Sequence, residues 1–239
     1  MEYRIDNKKV RIYPQHLEDI GSGYEGVAYK YCGKVLKLYH KFPKKNVLSF
    51  RDCEYMTKLS TERVLLPNQA VTDKHHFMRG YTTSPYIEDE IDIYEITGKM
   101  FLQERELIQL ELNYLGENFI SVDDFCLDNF KISDKFYLLD PGSYEVRWSM
   151  MNKDTEKNII YLANLNIEYF DDFLYKEIFL RYVRKYINNL AFYRDFLGKF
   201  TSGYSGMGYY SRIDYLKEFI IPDISLEENI KQLVKNYKN

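Results

Sequence analysis

The segment Ile20-Gly21-Ser22-Gly23-Tyr24-Glu25-Gly26-Val27-Ala28-Tyr29-Lys30 constrains the fold more than any other stretch of this 239-residue chain. It is a GxGxxG run, and glycines so spaced let a backbone turn tightly and approach a ligand without Cβ interference. The residues after it decide its setting. Val27–Tyr31 and Val35–Tyr39 are both strand-like and are separated by a turn at Cys32-Gly33-Lys34, so the loop caps a β-hairpin. A dinucleotide-binding fingerprint would open a helix, and a Walker loop would place Gly-Lys-Ser/Thr at a helix start. Taken alone, the motif reads equally well as a glycine-rich hairpin turn.

The hairpin belongs to a strand-rich first part. Between Tyr3 and Tyr81 the runs Val10–Tyr13, Val27–Tyr31, Lys34–Tyr39, Gln69–Thr72 and Phe77–Tyr81 alternate or are β-branched. One helix is expected among them, from Asn46 to Leu59 with Pro43 just ahead. After Thr82-Thr83-Ser84-Pro85 the pattern turns helical. Helices are expected over Lys99–Leu115, with Leu102, Glu106, Gln109, Leu110 and Asn113 marking its turns and Gly116 as C-cap, and over Thr155–Phe173, Tyr175–Leu197 and Ser225–Lys238. A polar, strand-like stretch, Phe119–Tyr144, lies between. The glycine-rich tract Ser202–Gly208 reads as a loop.

Composition removes several classes of function. Apolar residues make up 45% of the chain, enough for a sizeable core, and the formal charge of −3 with interspersed Lys and Asp/Glu gives no concentrated basic surface for nucleic acid. Cys32, Cys53 and Cys126 lack metal-ligand spacing and read as reduced thiols. No stretch approaches the roughly 18 to 20 apolar residues that span a bilayer, and the N-terminus lacks a signal-peptide run, so a cytoplasmic protein without membrane partners is expected.

Three further signals carry chemistry. Lys37 interrupts the apolar strand Val35-Leu36-Lys37-Leu38-Tyr39, a costly place for an ammonium unless an anion meets it. Glu54 on the following helix could be that anion. Then comes Val122-Asp123-Asp124-Phe125-Cys126-Leu127-Asp128-Asn129, followed eleven residues past Asn129 by Asp140-Pro141-Gly142. A carboxylate, an amide oxygen and a second carboxylate are the donors that a hard divalent cation and an acceptor hydroxyl require.

This order of signals resembles the protein-kinase family over roughly residues 16 to 145, with its catalytic loop and metal motif in the forms VDDxxxxN and DPG. The resemblance implies an α+β, two-lobed kinase-like fold as a single domain over 1–239. Its β-rich N-lobe with one helix would span 1–82, and its mainly helical C-lobe 83–239. It implies ATP and Mg²⁺ as cofactors and transfer of the γ-phosphate to a Ser/Thr hydroxyl. Carried over residue by residue, Gly21, Ser22, Gly23 and Gly26 would cover the phosphates and Lys37 would meet the α- and β-phosphates with Glu54 as partner. Asp124 would be the catalytic base, and Asn129 and Asp140 the metal ligands. Phe77–Tyr81 would lead into the hinge, with Met78 at the back of the adenine pocket.

Departures from the family pattern leave alternatives open. Val122 and Asp123 stand where the loop His and Arg would be, Pro141 replaces the Phe of DFG, and no APE motif appears after Gly142. Without that Arg, control by a phosphorylated activation segment is not expected. A protein or a small molecule of the aminoglycoside or choline type could supply the hydroxyl, and a nucleotide-binding pseudokinase acting as an interaction module is the non-enzymatic alternative.

Overall fold

The computed structural model describes residues 2–5, 8–42, 47–88, 90–152, 154–187, 189, 191–196 and 217–238. Pro43, Asn46 and the Ser202–Gly208 tract lie outside them.

Alternating and β-branched residues in the first 83 positions build one seven-stranded sheet. Its strands are β1 (Glu2–Ile5), β2 (Lys8–Arg11), β3 (Glu18–Ser22), β4 (Gly26–Tyr31), β5 (Lys34–Tyr39), β6 (Pro67–Thr72) and β7 (Met78–Thr83), in the order β2-β1-β6-β7-β5-β4-β3. Every pairing is antiparallel. Leu36, Leu38 and Val71 bury against Tyr3, Ile5 and Ile12 to form a small core on this sheet.

The helix of this lobe, α1 (Phe50–Met56), starts later than the sequence suggests. Ser49 is its N-cap, its side chain accepting from the Asp52 N–H at 3.1 Å, so the helix start is set by the cap and not by the apolar pattern. Cys53 and Met56 face inward, and Glu54 is exposed.

The second lobe is mainly helical, giving the α+β, two-lobed arrangement expected from the sequence. Helix α2 (Gly98–Glu117), capped by Thr97, packs on α3 (Thr155–Phe173). The latter runs through a π-helical stretch (Leu174–Leu180) into α4 (Arg181–Tyr186), and α5 (Leu226–Lys238) closes the lobe. The inward face of α2 is Phe101, Glu104, Arg105, Ile108, Leu112 and Leu115, whereas Leu110 is 67% exposed. The face marked by Leu102, Glu106, Leu110 and Asn113 is therefore not the core face. Arg105 misleads the pattern, because it is fully buried against Asp171, with contacts of 2.6 and 2.8 Å. Gly116 is likewise not a C-cap. It lies inside α2, where an added Cβ would stand 2.5 Å from Ala163 Cα, so it sets the close approach of the two helices.

Tyr175–Leu197 is not one helix. Ile187 is extended, and Asn189 caps a new helical turn by accepting from the N–H groups of Ala191 (2.9 Å) and Phe192 (3.2 Å). Among the described residues no helix is long and apolar enough to cross a membrane, and the three cysteines are free.

Candidate active site

The hairpin loop takes the form its glycines dictate. Gly21 lies near the end of β3 and Gly26 opens β4, with the Gly23 N–H donating to the Gly26 carbonyl at 2.9 Å across the turn. A Cβ on Gly26 would stand 2.1 Å from the Leu38 carbonyl oxygen, so no other residue lets the loop lie this close to β5. Gly21 and Gly23 have open space where a side chain would be.

Under the loop lies a cleft of about 880 Å³ between the lobes, in the roughly 300 to 1,000 Å³ range of small-ligand sites. Ile20, Ala28 and Val35 line it from the sheet's hairpin, Tyr81 and Thr83 from β7, and Pro85, Tyr86 and Ile87 from the segment after β7. Strand β7 runs to Thr83, two residues beyond the expected Tyr81, because the β-branched pair Thr82-Thr83 continues the ladder opposite Leu36 and Val35. Met78 consequently sits at the start of β7, opposite Thr72, and does not line the cleft.

Gly21, Ser22, Gly23, Gly26, Lys37, Asp124, Asn129 and Asp140 all line this one cleft, although they come from widely separated segments. Asp123 does not, which favours the second carboxylate of the pair as the one facing a ligand.

Lys37 is 9% exposed, and its Nζ donates to both carboxylate oxygens of Asp140 at 2.6 Å. Its second carboxylate is Glu25, with Oε2 2.7 Å away. This last contact is an ion pair by distance only, since Glu25 Oε2 is buried and accepts no aligned hydrogen bond. Glu54 is not at the site. The inward positions of α1 are Cys53 and Met56, so the helix turns its carboxylate to solvent, and the expected Lys37–Glu54 pair does not form.

Asp140 is the strained residue of the site. It occupies the left-handed region (φ 54°, ψ 69°), which costs a non-glycine residue free energy and tends to be held at functional positions. The Tyr81 hydroxyl donates to its Oδ1 at 2.5 Å, and the Gly142 N–H lies 3.3 Å from the same oxygen. Burial, and then the adjoining Asp140 carboxylate, hold the Tyr81 phenol well above its ordinary range, so it stays a donor. Gly142 leaves room for these side-chain tips: a Cβ would meet Glu25 Oε2 at 2.6 Å, the Tyr81 hydroxyl at 2.9 Å and Asp140 Oδ1 at 3.0 Å.

The acidic loop is held from beneath. Asn166 on α3 is fully buried; its Oδ1 accepts from the Val122 N–H at 2.9 Å, and its Nδ2 donates to the carbonyls of Ile120 (2.9 Å) and Leu112 (3.2 Å). Phe125 packs on Phe170 and Phe173, with ring centroids 5.7 and 6.4 Å away. Asn129 Nδ2 donates to the Asp124 carbonyl at 3.3 Å, and the Leu139 N–H donates to the Asn129 carbonyl at 2.7 Å, which joins the Asn129 loop to the residue before Asp140.

Sequence reasoning missed Glu25, Tyr81 and Asn166. Glu25 carried a signal, because an acidic residue inside a loop suited to anions is repulsive unless a cation meets it. Tyr81 and Asn166 carried none, since an aromatic in a strand and an amide in a helix are ordinary until the fold brings them to their partners.

No protein-family model matches the chain, and no curated protein matches it. Among solved structures it is similar to the Legionella pneumophila Lpg2603 kinase bound to IP6, at 14% identity over 97% of this chain and 89% of that one, with a TM-score of 0.45. At that level the likeness assigns neither activity nor ligand to this chain.

Proposed function

We propose that the chain is an ATP-dependent phosphotransferase that moves the γ-phosphate of ATP to a hydroxyl. The observation that carries this reading is the convergence of Lys37, Asp124, Asn129 and Asp140 on one cleft beneath the glycine-rich loop. Lys37 comes from the sheet and Asp124, Asn129 and Asp140 from loops of the second lobe, and phosphoryl transfer needs these groups together.

The donor set fits the implied cofactors. Asn129 and Asp140 offer the oxygen ligands a hard cation prefers, and the strained backbone of Asp140 places it on the wall of the cleft. Bound Mg·ATP would supply the phosphoryl group and neutralise its charge. In this reading Lys37 meets the α- and β-phosphates and the backbone of Gly21–Gly26 covers them. Asp124 accepts the proton of the acceptor hydroxyl as its oxygen bonds phosphorus, and the bond to the leaving ADP oxygen breaks.

A Ser or Thr hydroxyl of a protein is the first acceptor to test. A small-molecule hydroxyl is the second, favoured by the segment after Asp140. That segment consists of short elements packed onto the body, with Glu145–Val146 pairing to Ile120–Ser121 and the Trp148 indole N–H donating to Asp52 at 2.6 Å. Its described residues form no extended platform for a docked peptide.

Incubation with γ-labelled ATP, Mg²⁺ and panels of both acceptor types tests the proposal. Label should reach an acceptor with the wild type and not with Asp140→Asn, which should also lose Mg²⁺-dependent thermal stabilisation by ATP. Equal Mg·ATP stabilisation of the two proteins would contradict the role given to Asp140.

A further inference from the structure

We infer that Glu25, in the glycine-rich loop itself, is the carboxylate that positions Lys37, so that the seating of the loop and the aim of the lysine are one event. The inference rests on the phosphotransfer reading and deepens it. It concerns a positioning residue that acts through Lys37.

An ammonium as enclosed as Lys37 needs a standing counter-ion, because a buried charge stripped of its partner is strongly destabilising. Two carboxylates now serve it, with side chains 12% (Glu25) and 29% (Asp140) exposed. They are not equivalent. Asp140 holds Lys37 with both oxygens, at 2.6 Å each, and these are the oxygens a divalent cation would claim. Once Asp140 turns to a cation, Glu25 is the carboxylate left to Lys37.

The contact geometry suits a partner that stays. Glu25 Oε2 lies 2.7 Å from Nζ without hydrogen-bond alignment, so the ammonium keeps its hydrogen-bond directions for other oxygens while the charge remains balanced. The loop is built to present this side chain. The Gly23–Gly26 turn is closed by its own hydrogen bond, and the Glu25 carbonyl accepts from the His40 N–H at 2.9 Å, so the residue is tied to the end of β5. From there its carboxylate reaches across the cleft to Gly142, whose missing Cβ makes the room.

Helix α1 has no carboxylate to offer instead. Glu54 is exposed, and Asp52 is engaged by Trp148. The helix after β5 is therefore free of the task, and the loop has taken it.

The test uses the full chain and two readouts, with thermal midpoints recorded for each variant. In the absence of nucleotide, acylation of Lys37 by an amine-reactive ester is tracked by peptide mass. Glu25→Ala uncovers the ammonium and should raise labelling several-fold, whereas Glu54→Ala should leave it unchanged. With Mg·ATP and acceptor, Glu25→Gln should lower kcat by about 10²-fold, the scale of a misplaced positioning contact, with a much smaller change in the KM for ATP. Glu25→Asp should restore part of that loss, and Glu54→Gln should match the wild type. A purely structural Glu25 would shift the midpoint without splitting kcat from KM. Unchanged labelling in Glu25→Ala, or unchanged turnover in Glu25→Gln, overturns the inference. If the wild type binds no Mg·ATP, the phosphotransfer reading fails separately, and the nucleotide-free labelling ratio still upholds or overturns Glu25 as the partner of Lys37.

Discussion

Asn166 supports the acidic loop without lining the cleft. Its single amide serves the Val122 N–H and the carbonyls of Leu112 and Ile120, all away from water. Asn166→Ala should therefore cost about 1 to 3 kcal/mol, the penalty for buried backbone groups left unpaired, read as a lower denaturant midpoint at unchanged m-value. A change within a few tenths of a kcal/mol would mean that water satisfies those groups and the amide is dispensable. Legibility at this scale divided by mechanism. That Lys37, Asp124, Asn129 and Asp140 meet in one cleft could be anticipated, because a charge in an apolar strand and carboxylates at fixed spacing from an amide stand out from their surroundings. The partner of Lys37 could not be read, because Glu25 and Glu54 are both near it in sequence and only the facing of α1, set by Cys53 and Met56, decides between them.

The segment from Asp140 to α3 is packed against the first lobe's helix. Trp148 locks it to α1: its indole N–H donates to Asp52 at 2.6 Å, the Arg51 guanidinium stacks 3.7 Å over its ring, and Tyr55 meets it edge-on at 5.0 Å. The segment is thus held by contacts that need no added charge, and on the proposed kinase-like reading the position that would hold a phosphate-binding Arg is occupied by Asp123. Phosphatase treatment should leave transfer activity unchanged, since a phosphate beside Asp123 meets repulsion. Collapse of activity on treatment, with Ser143, Ser149 or Thr155 as the mapped site, would contradict this. Elements with uniform patterns were legible: α3 spans the expected Thr155–Phe173, and the β4–β5 hairpin forms as read. Those modified by a local or tertiary feature were not. The Ser49 cap moved the start of α1, a break at Ile187 with a new cap at Asn189 divided the expected Tyr175–Leu197 helix, and a buried Arg105–Asp171 pair disguised the core face of α2.

At the scale of the whole molecule, ion pairs span the cleft and its edge. Lys37 of the sheet meets Asp140 of the second lobe, while Lys30 holds Glu88 and Lys131 holds Glu90 along the segment that joins the lobes. The two-lobed division could be read from the switch to a helical period after Pro85, but the register of the connection could not, because Thr82 and Thr83 extend the last strand. Nucleotide binding and phosphoryl transfer are separable, and the proposed function requires both. The most direct test measures Mg·ATP affinity and transfer of labelled γ-phosphate on the same preparations of wild type, Asp124→Asn and Asp123→Asn. The expected result is that Asp124→Asn binds Mg·ATP within a few-fold of wild type while transfer falls by roughly two to four orders of magnitude, the range for a lost general base, and that Asp123→Asn keeps its activity. Loss in Asp123→Asn alone would contradict the assignment of Asp124. A wild type that binds Mg·ATP yet transfers nothing to protein, small molecule or itself would contradict the claim of catalysis.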